Sequence, residues 1–258
     1  MVALRRRRAR DKAGVTLVEG YEELRLALAA GLRPRAVYYC PELTAPGTLP
    51  LAADAAGLGA EVIRVSRAAF GRAAYREAPD GWLAVVPAVT AGLQGLRTGR
   101  RALVLICEGV EKPGNLGAIL RTADAAGVTA VIAAGPVADW GNPNVIRASK
   151  GTVFSVPVAA AASADVLRWV GDHGLALVAT SPAASTLFTE VDLTGPVALA
   201  VGSESAGLPG DWLARADERV RIPMFGRADS LNVAASAAIL AYEAVRQRMA
   251  AGLVPRPG

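Results

Sequence analysis

Four short, continuously apolar segments in the second half of the chain constrain its fold more than any other feature. They are Ala102–Ile106, Ala130–Ala133, Leu175–Ala179 and Val197–Val201. A strand with one solvent-exposed face alternates apolar and polar residues. A continuous apolar run instead predicts a strand in a parallel sheet that is buried on both faces. Helical patterns fall between or after these runs, at Leu116–Ala126, Ser163–Asp172, Trp212–Ala216 and about Leu231–Met249. The sequence therefore predicts a C-terminal α/β domain with a parallel sheet.

The first part of the chain has a similar alternation on a smaller scale. Strands are predicted at Leu17–Val18, Arg35–Cys40, Glu61–Val65 and Trp82–Val86, with helices at Tyr21–Ala30 and Leu51–Gly57. Such alternation predicts a second α/β layer structure. Three glycines between residues 92 and 99 mark a linker. We predict a basic flexible arm at 1–15, a smaller α/β domain at 16–93, a linker at 94–101 and a larger domain at 102–258.

The charge balance favours a nucleic-acid partner without establishing one. The 258-residue chain carries a net charge of +5, and only Lys12, Lys112 and Lys150 among its 28 basic residues are not arginine. Arginine suits phosphate groups, and a basic domain is typical of nucleic-acid binders. Six of the eight residues from Arg5 to Lys12 are basic. This segment could contact RNA or simply be solvated.

Several classes of site and location are disfavoured by composition. Cys40 and Cys107 lack CxxC spacing, and His173 is the single histidine, so the sequence argues against a zinc site or a Cys–His nucleophile. We expect no metal. No apolar run reaches membrane-spanning length, and no apolar stretch follows the basic N-terminus as in a signal peptide. We expect a cytoplasmic protein without a membrane partner.

The first segment whose residues could form a functional site is 108–123, which follows a predicted strand and enters a helix. Gly114 and Gly117 permit close approach to the backbone. Gly117 and Arg121 are four residues apart and share a helix face. The alternative interpretation is a glycine-rich turn followed by a surface arginine.

Two further segments have similar character. Gly202-Ser203-Glu204 begins a glycine-rich loop after a strand, although its spacing matches neither a dinucleotide-binding fingerprint nor a P-loop. In the segment 222–236, Ser230 or Asn232 could cap the last helix. The small residues that follow would let this helix pack closely against a loop or a second subunit.

Together, in this order, the three segments resemble the SpoU (TrmH) branch of the SPOUT RNA 2′-O-methyltransferases, over roughly residues 103–248. Val145–Gly151 also resembles the family. The N-terminal part, through its layout and Leu17–Gly20, resembles the ribosomal-protein-like substrate-binding domain that precedes many members. The resemblance implies a deep trefoil knot in the parallel-sheet domain, a homodimer with sites completed near the interface, and S-adenosylmethionine as cofactor.

The resemblance also implies roles for individual residues. The cofactor would be bound by residues in and around the knot loops, largely through backbone groups: Thr180, Gly202, Ile222, Pro223, Met224 and Leu231. The catalytic set would be Arg121, Asn115, Glu204, Ser230 and Asn232. In this set Arg121 handles the ribose 2′-hydroxyl proton, Asn115, Ser230 and Asn232 orient it and the ribose, and Glu204 positions Arg121 or a neighbouring loop.

A guanidinium is a poor base because its pKa exceeds about 12. Arg121 could exchange protons with an adjacent RNA phosphate, or it could stay cationic and lower the pKa of the hydroxyl. The sequence does not choose between these routes.

The substrate is the least determined feature. The N-terminal domain favours 23S ribosomal RNA over transfer RNA, since family members that act on transfer RNA more often lack such a domain. Three alternatives remain: a transfer-RNA 2′-O-methyltransferase, a non-catalytic RNA-binding ribosome-assembly protein, and a nucleotide-dependent α/β enzyme of another kind. Protection of the ribosome against an antibiotic is compatible with the resemblance.

Overall fold

The computed structural model describes residues 2–89, 92–135 and 139–253. The chain divides into two compact units, and the division does not follow the sequence order. The first unit combines Met1–Thr90 with Asp139–Ser155, and the second combines Ala91–Ala138 with Val156–Gly258. A segment from the middle of the chain therefore belongs to the N-terminal unit. The last residues of the predicted larger domain, 254–258, lie outside the described part.

The first unit is built on a four-stranded mixed sheet. Its strands are β1 (Val15–Glu19), β2 (Ala36–Tyr39), β3 (Glu61–Arg64) and β4 (Trp82–Pro87), in the order β1-β4-β2-β3. The pair β2–β3 is parallel, while β4 pairs antiparallel with β1 and β2. Each strand lies where the sequence predicts one, and their inner faces bury Leu17, Cys40 and Leu83 with Phe70.

The α-helices of the described part of the first unit are α1 (Arg7–Ala13), α2 (Tyr21–Ala29), α3 (Pro50–Gly57), α4 (Arg67–Ala73) and α6 (Pro143–Ala148). They include three that the sequence did not predict, α1, α4 and α6. The basic segment expected to be an arm thus forms α1. Arg10 is 4% exposed, donates to the carbonyl of Arg5 at 3.0 Å, and forms an ion pair with Asp139. The partner that orders this segment is distant in sequence, so the local charge pattern could not reveal it.

The second unit contains a seven-stranded sheet in which every recorded strand pairing is parallel. Its strands are β5 (Leu103–Glu108), β6 (Ala130–Ala134), β7 (Val158–Ala161), β8 (Ala176–Thr180), β9 (Thr186–Leu187), β10 (Val197–Gly202) and β11 (Glu218–Arg221). The order is β7-β6-β5-β10-β8-β11-β9. The four predicted apolar runs form the adjacent strands β6, β5, β10 and β8, so the predicted parallel sheet is confirmed.

The described residues of the second unit form four α-helices: α5 (Pro113–Ala125), α7 (Ser163–Asp172), α8 (Gly210–Arg215) and α9 (Val233–Ala250). Helix α9 packs against α5, β5 and β10. Asn232, one of two candidate caps, caps α9 by accepting a hydrogen bond from the Ala234 amide at 3.0 Å. Within the described ranges, no helix combines the length and apolar character needed to cross a membrane.

Candidate active site

A cleft lies where strands β8, β10 and β11 end. Because these strands are parallel, their carboxyl ends meet at one edge of the sheet, where open α/β sheets bind ligands. The cleft encloses about 790 Å³, part of it open to solvent. Its lining is formed by Thr180, Ser181, Pro182, Val201, Gly202, Ser203, Glu204, Gly207, Val220, Arg221, Ile222, Met224, Asp229, Ser230, Leu231, Val233 and Ser236.

Most of the predicted cofactor residues line this cleft. Thr180, Gly202, Ile222, Met224 and Leu231 do so. Pro223, the sixth residue predicted to bind the cofactor, is not among the lining residues. The loop between β11 and α9 thus supplies one wall, and the ends of β8 and β10 supply the other.

Gly202 is required by the loop that follows it. A Cβ atom at this position would lie 2.0 Å from the carbonyl carbon of Gly207, which is far inside contact distance. The chain turns back here and forms a bridge between Ser203 and Gly207. The glycine therefore permits the loop to fold against the strand end, a role that the sequence did not indicate.

Glu204 connects all three motif segments. Its Oε1 accepts hydrogen bonds from Asn115 Nδ2 at 3.0 Å and from Asn232 Nδ2 at 2.8 Å. Asn232 Nδ2 also donates to Asn115 Oδ1 at 3.1 Å, and Glu204 Oε2 pairs with Lys112 Nζ. Four predicted or neighbouring side chains thus form one polar cluster, which we call the Glu204 cluster: Lys112, Asn115, Glu204 and Asn232.

The Glu204 cluster keeps its carboxylate ionised. The hydrogen bond from Lys112, then that from Asn115, lowers the pKa of Glu204 below its usual value. A general base works best with a pKa near the operating pH, so a carboxylate shifted in this direction is a poor proton acceptor. Lys112 was within the quoted motif, but no feature of the sequence assigned it a role.

Arg121 lies on α5 and is exposed. Its guanidinium forms no hydrogen bond or ion pair with any residue in the described part of the chain. Glu204, expected to position either Arg121 or a nearby loop, contacts Lys112 and the two asparagines instead. Ser230 lies in the cleft wall, next to Leu231.

Comparison with known proteins places the two parts of the chain in described families. The SpoU rRNA Methylase family matches residues 102–242, and the MRM3-like substrate binding domain matches residues 1–84. The resemblance found in the three motif segments is thereby confirmed.

Individual relatives agree with this assignment. A 23S rRNA (uridine(2479)-2′-O)-methyltransferase from Streptomyces viridochromogenes is 36% identical over 70% of this chain, and the match spans 65% of that relative's length. A tRNA (guanosine(18)-2′-O)-methyltransferase from Thermus thermophilus is 38% identical over 63% of this chain and 84% of its own.

A solved structure extends the likeness to nearly the whole chain. The AdoMet-bound rRNA methyltransferase from Sinorhizobium meliloti is 32% identical, with a TM-score of 0.87 over 95% of this chain and 92% of that one. The Glu204 cluster, the cleft and the match over residues 102–242 lead to one conclusion: this chain belongs to the SpoU rRNA methylase family.

Proposed function

We propose that this protein is an S-adenosylmethionine-dependent RNA ribose 2′-O-methyltransferase. The observation that carries the proposal is the Glu204 cluster, which joins the three motif segments beside the cleft at the ends of β8, β10 and β11. Relatives named as RNA 2′-O-methyltransferases support the same reaction.

The cleft fits the cofactor by its chemistry. Apolar side chains such as Val201, Ile222 and Leu231 can pack against a nucleoside, and the small hydroxyl residues around them leave backbone groups accessible. The Thr180 hydroxyl donates to the Ala200 carbonyl at 3.0 Å, so it can contact the cofactor only as a hydrogen-bond acceptor. When bound, S-adenosylmethionine supplies an electrophilic methyl group. The protein then has to align the acceptor hydroxyl and manage its proton.

We assign proton management to Arg121 as a cation. Glu204 is unsuited to be the base because the Lys112 and Asn115 contacts lower its pKa. An exposed guanidinium with no competing partner among the described residues can stabilise negative charge on the ribose oxygen as the proton leaves. Glu204 then acts as a positioning residue, holding Asn115 and Asn232 in place.

We further propose a homodimer whose sites are completed near the interface. Tyr242 on α9 is 49% exposed, and most of its neighbours on that face are small or apolar, which supports contact with a second subunit. Light scattering should give about twice the chain mass of 26.5 kDa. A fully active monomer at assay concentration would exclude this arrangement.

A trefoil knot in the second unit is also part of the proposal. Strand β10 lies between β5 and β8, although β8 precedes it in sequence, and α9 then packs on β5 and β10. This order places a late strand between two earlier ones, which is compatible with the knot that the family resemblance implies.

For the substrate we favour 23S ribosomal RNA in the cytoplasm, with transfer RNA as the alternative. The match of residues 1–84 to a substrate-binding domain supports recognition of a structured RNA by the first unit. A ribosome-assembly role without catalysis is disfavoured by the intact Glu204 cluster and Arg121. Protection against a ribosome-targeting antibiotic is compatible with a 23S ribosomal RNA substrate.

Two measurements test the proposal. Calorimetric titration should show one S-adenosylmethionine bound per subunit without added metal, and absence of binding would contradict the cofactor assignment. Separated 16S, 23S and transfer RNA should then be incubated with methyl-labelled cofactor. Label in 23S RNA, mapped to one ribose by primer extension, is expected; label only in transfer RNA would replace the substrate assignment and leave the chemistry intact.

Substitutions at the basic N-terminal helix test whether it contributes to RNA binding. Arg6, Arg7 and Arg8 are exposed, so their joint replacement by glutamine should weaken RNA binding and reduce its dependence on salt. Cofactor affinity should not change. Unchanged RNA affinity at several salt concentrations would remove α1 from the RNA-binding surface.

A further inference from the structure

Few charged residues line the cleft, and they differ in the hydrogen bonds and ion pairs that they form. Glu204 and Asp229 are the two carboxylates in the lining, and Arg221 is its single lysine or arginine. Glu204 is neutralised by Lys112 and bound by two asparagines. Asp229 is exposed, and no hydrogen bond or ion pair of its side chain is recorded among the described residues.

A carboxylate that lacks a hydrogen-bond or ion-pair partner among the described residues is unfavourable in a site that must bind RNA. The phosphates of RNA and the Asp229 carboxylate repel each other, and a cation bound between them lowers that cost. The reaction supplies one such ligand, since S-adenosylmethionine carries a sulfonium and an α-ammonium group beside its α-carboxylate. The presence of both Asp229 and Arg221 in one lining matches the two charges of an amino-acid group.

Hydrogen-bonding chemistry distinguishes the two cationic groups of the cofactor. An ammonium has three N–H donors and forms strong charge-assisted hydrogen bonds to a carboxylate, whereas a sulfonium has none. Asp229 also lies immediately before Ser230 and Leu231, both in the cleft wall, so its position is fixed by the same loop.

We propose that Asp229 is a cofactor-binding residue that accepts hydrogen bonds from the α-ammonium group of S-adenosylmethionine. This inference rests on the proposed function and names the residue that selects the amino-acid end of the cofactor. The proposal predicts which ligands Asp229 favours. Ligands that retain the amino group gain affinity from Asp229, whereas ligands that lack the amino group do not.

The test compares Asp229→Asn with the wild type by calorimetric titration of three ligands: S-adenosylmethionine, S-adenosylhomocysteine and 5′-methylthioadenosine. The third contains the nucleoside and sulfur but no amino acid. We expect the first two to lose about tenfold in affinity each, because the asparagine oxygen still accepts a hydrogen bond from the ammonium but no longer carries a negative charge. The affinity for 5′-methylthioadenosine should be unchanged. The matched control is Asp172→Asn, which makes the same charge change at an exposed position at the end of α7.

Each other result overturns the inference. Loss of affinity for S-adenosylmethionine alone would place Asp229 against the sulfonium, and an equal loss for all three ligands would make it a support of the loop. No loss, or the same loss in Asp172→Asn, would leave Asp229 without a role in binding. Failure of the wild type to bind any of the three would refute the cofactor proposal itself, which separates the two claims.

Discussion

Arg248, near the end of α9, is a buried cation whose replacement should destabilise the second unit. The residue is 5% exposed, and burial lowers the pKa of its guanidinium. It donates to four backbone carbonyls: Nε to Leu193 at 3.0 Å, Nη1 to Arg101 at 2.8 Å, and Nη2 to Ala102 at 3.2 Å and Gly195 at 2.6 Å. These bonds fasten the last helix to the loop before β10 and to the start of β5.

The expected loss can be estimated from these contacts. Each hydrogen bond contributes about 1 kcal/mol net, so the four contribute about 4 kcal/mol. The Ala102 carbonyl also accepts from the Val197 amide at 2.9 Å, and Arg101 is exposed enough for water to replace the lost donor. Both effects reduce the loss. We therefore expect Arg248→Met to lower the free energy of unfolding by about 3 kcal/mol, with the Leu193 carbonyl left without this donor.

Urea unfolding of the full chain, followed by far-ultraviolet circular dichroism at one fixed protein concentration, measures this loss. The control is Arg168→Met, because Arg168 forms an ion pair with Asp165 at 3.0 Å and the two side chains are 68% and 53% exposed. Such a surface pair contributes less than about 1 kcal/mol. If Arg248→Met shifts the urea midpoint no further than Arg168→Met does, the four carbonyl contacts do not stabilise the fold as we reason.

Three other outcomes can be checked on the same preparations. Arg121→Ala should abolish methyl transfer while leaving S-adenosylmethionine affinity within about twofold, and Arg121→Lys should not restore transfer because lysine lacks the planar fork; transfer near the wild-type rate would remove Arg121 from the mechanism. The stabilisation that ionised Glu204 provides should be present above the usual pKa of glutamate and disappear as pH falls through its lowered folded-state pKa; the thermal midpoint of Glu204→Gln should lack this acid-side change. Burial raises the pKa of Cys107 to about 12, and Cys40 is also buried, so a thiol reagent at pH 8 should label neither cysteine until the protein unfolds.

The central sheet was predictable because burial on both faces leaves a local signal. Strands β5, β6, β8 and β10 are continuous apolar runs, and they are adjacent in the sheet. Strands β11 and β9 lack that signal. Strand β11 reads Glu-Arg-Val-Arg with only Val220 buried, and β9 has two residues, so neither differs locally from a loop.

The candidate site was predictable as segments but not as contacts. Asn115, Glu204 and Asn232 were each named within a motif, and the structure brings them within hydrogen-bonding distance. Lys112 was missed because an exposed lysine before a proline has many ordinary explanations. Its partner Glu204 is 92 positions away, a separation that a pattern in a single sequence does not encode.

The first unit shows the same limit at the scale of a domain. Asp139–Ser155 lies between β6 and β7 of the second unit, yet it packs with the N-terminal residues. The two segments pack closely at Gly151, where a Cβ atom would lie 3.2 Å from the backbone of Glu23. Deleting residues 1–93 would therefore uncover α6 as well as remove a domain, and a loss of activity after such a deletion would not identify the RNA-binding surface. Substitutions on exposed positions of α1 avoid this problem.

The cluster geometry also explains why the order of strands matters for the site. Glu204 follows β10, Asn115 lies in the first turn of α5 after β5, and Asn232 caps α9. Strand β10 pairs directly with β5, with Gly202 beside Glu108, so the loop carrying Glu204 emerges next to the loop that leads into α5. Helix α9 then packs against both α5 and β10, which brings Asn232 to the same point. A sheet in which β10 did not pair with β5 could hold the same residues, but it would separate Glu204 from Asn115.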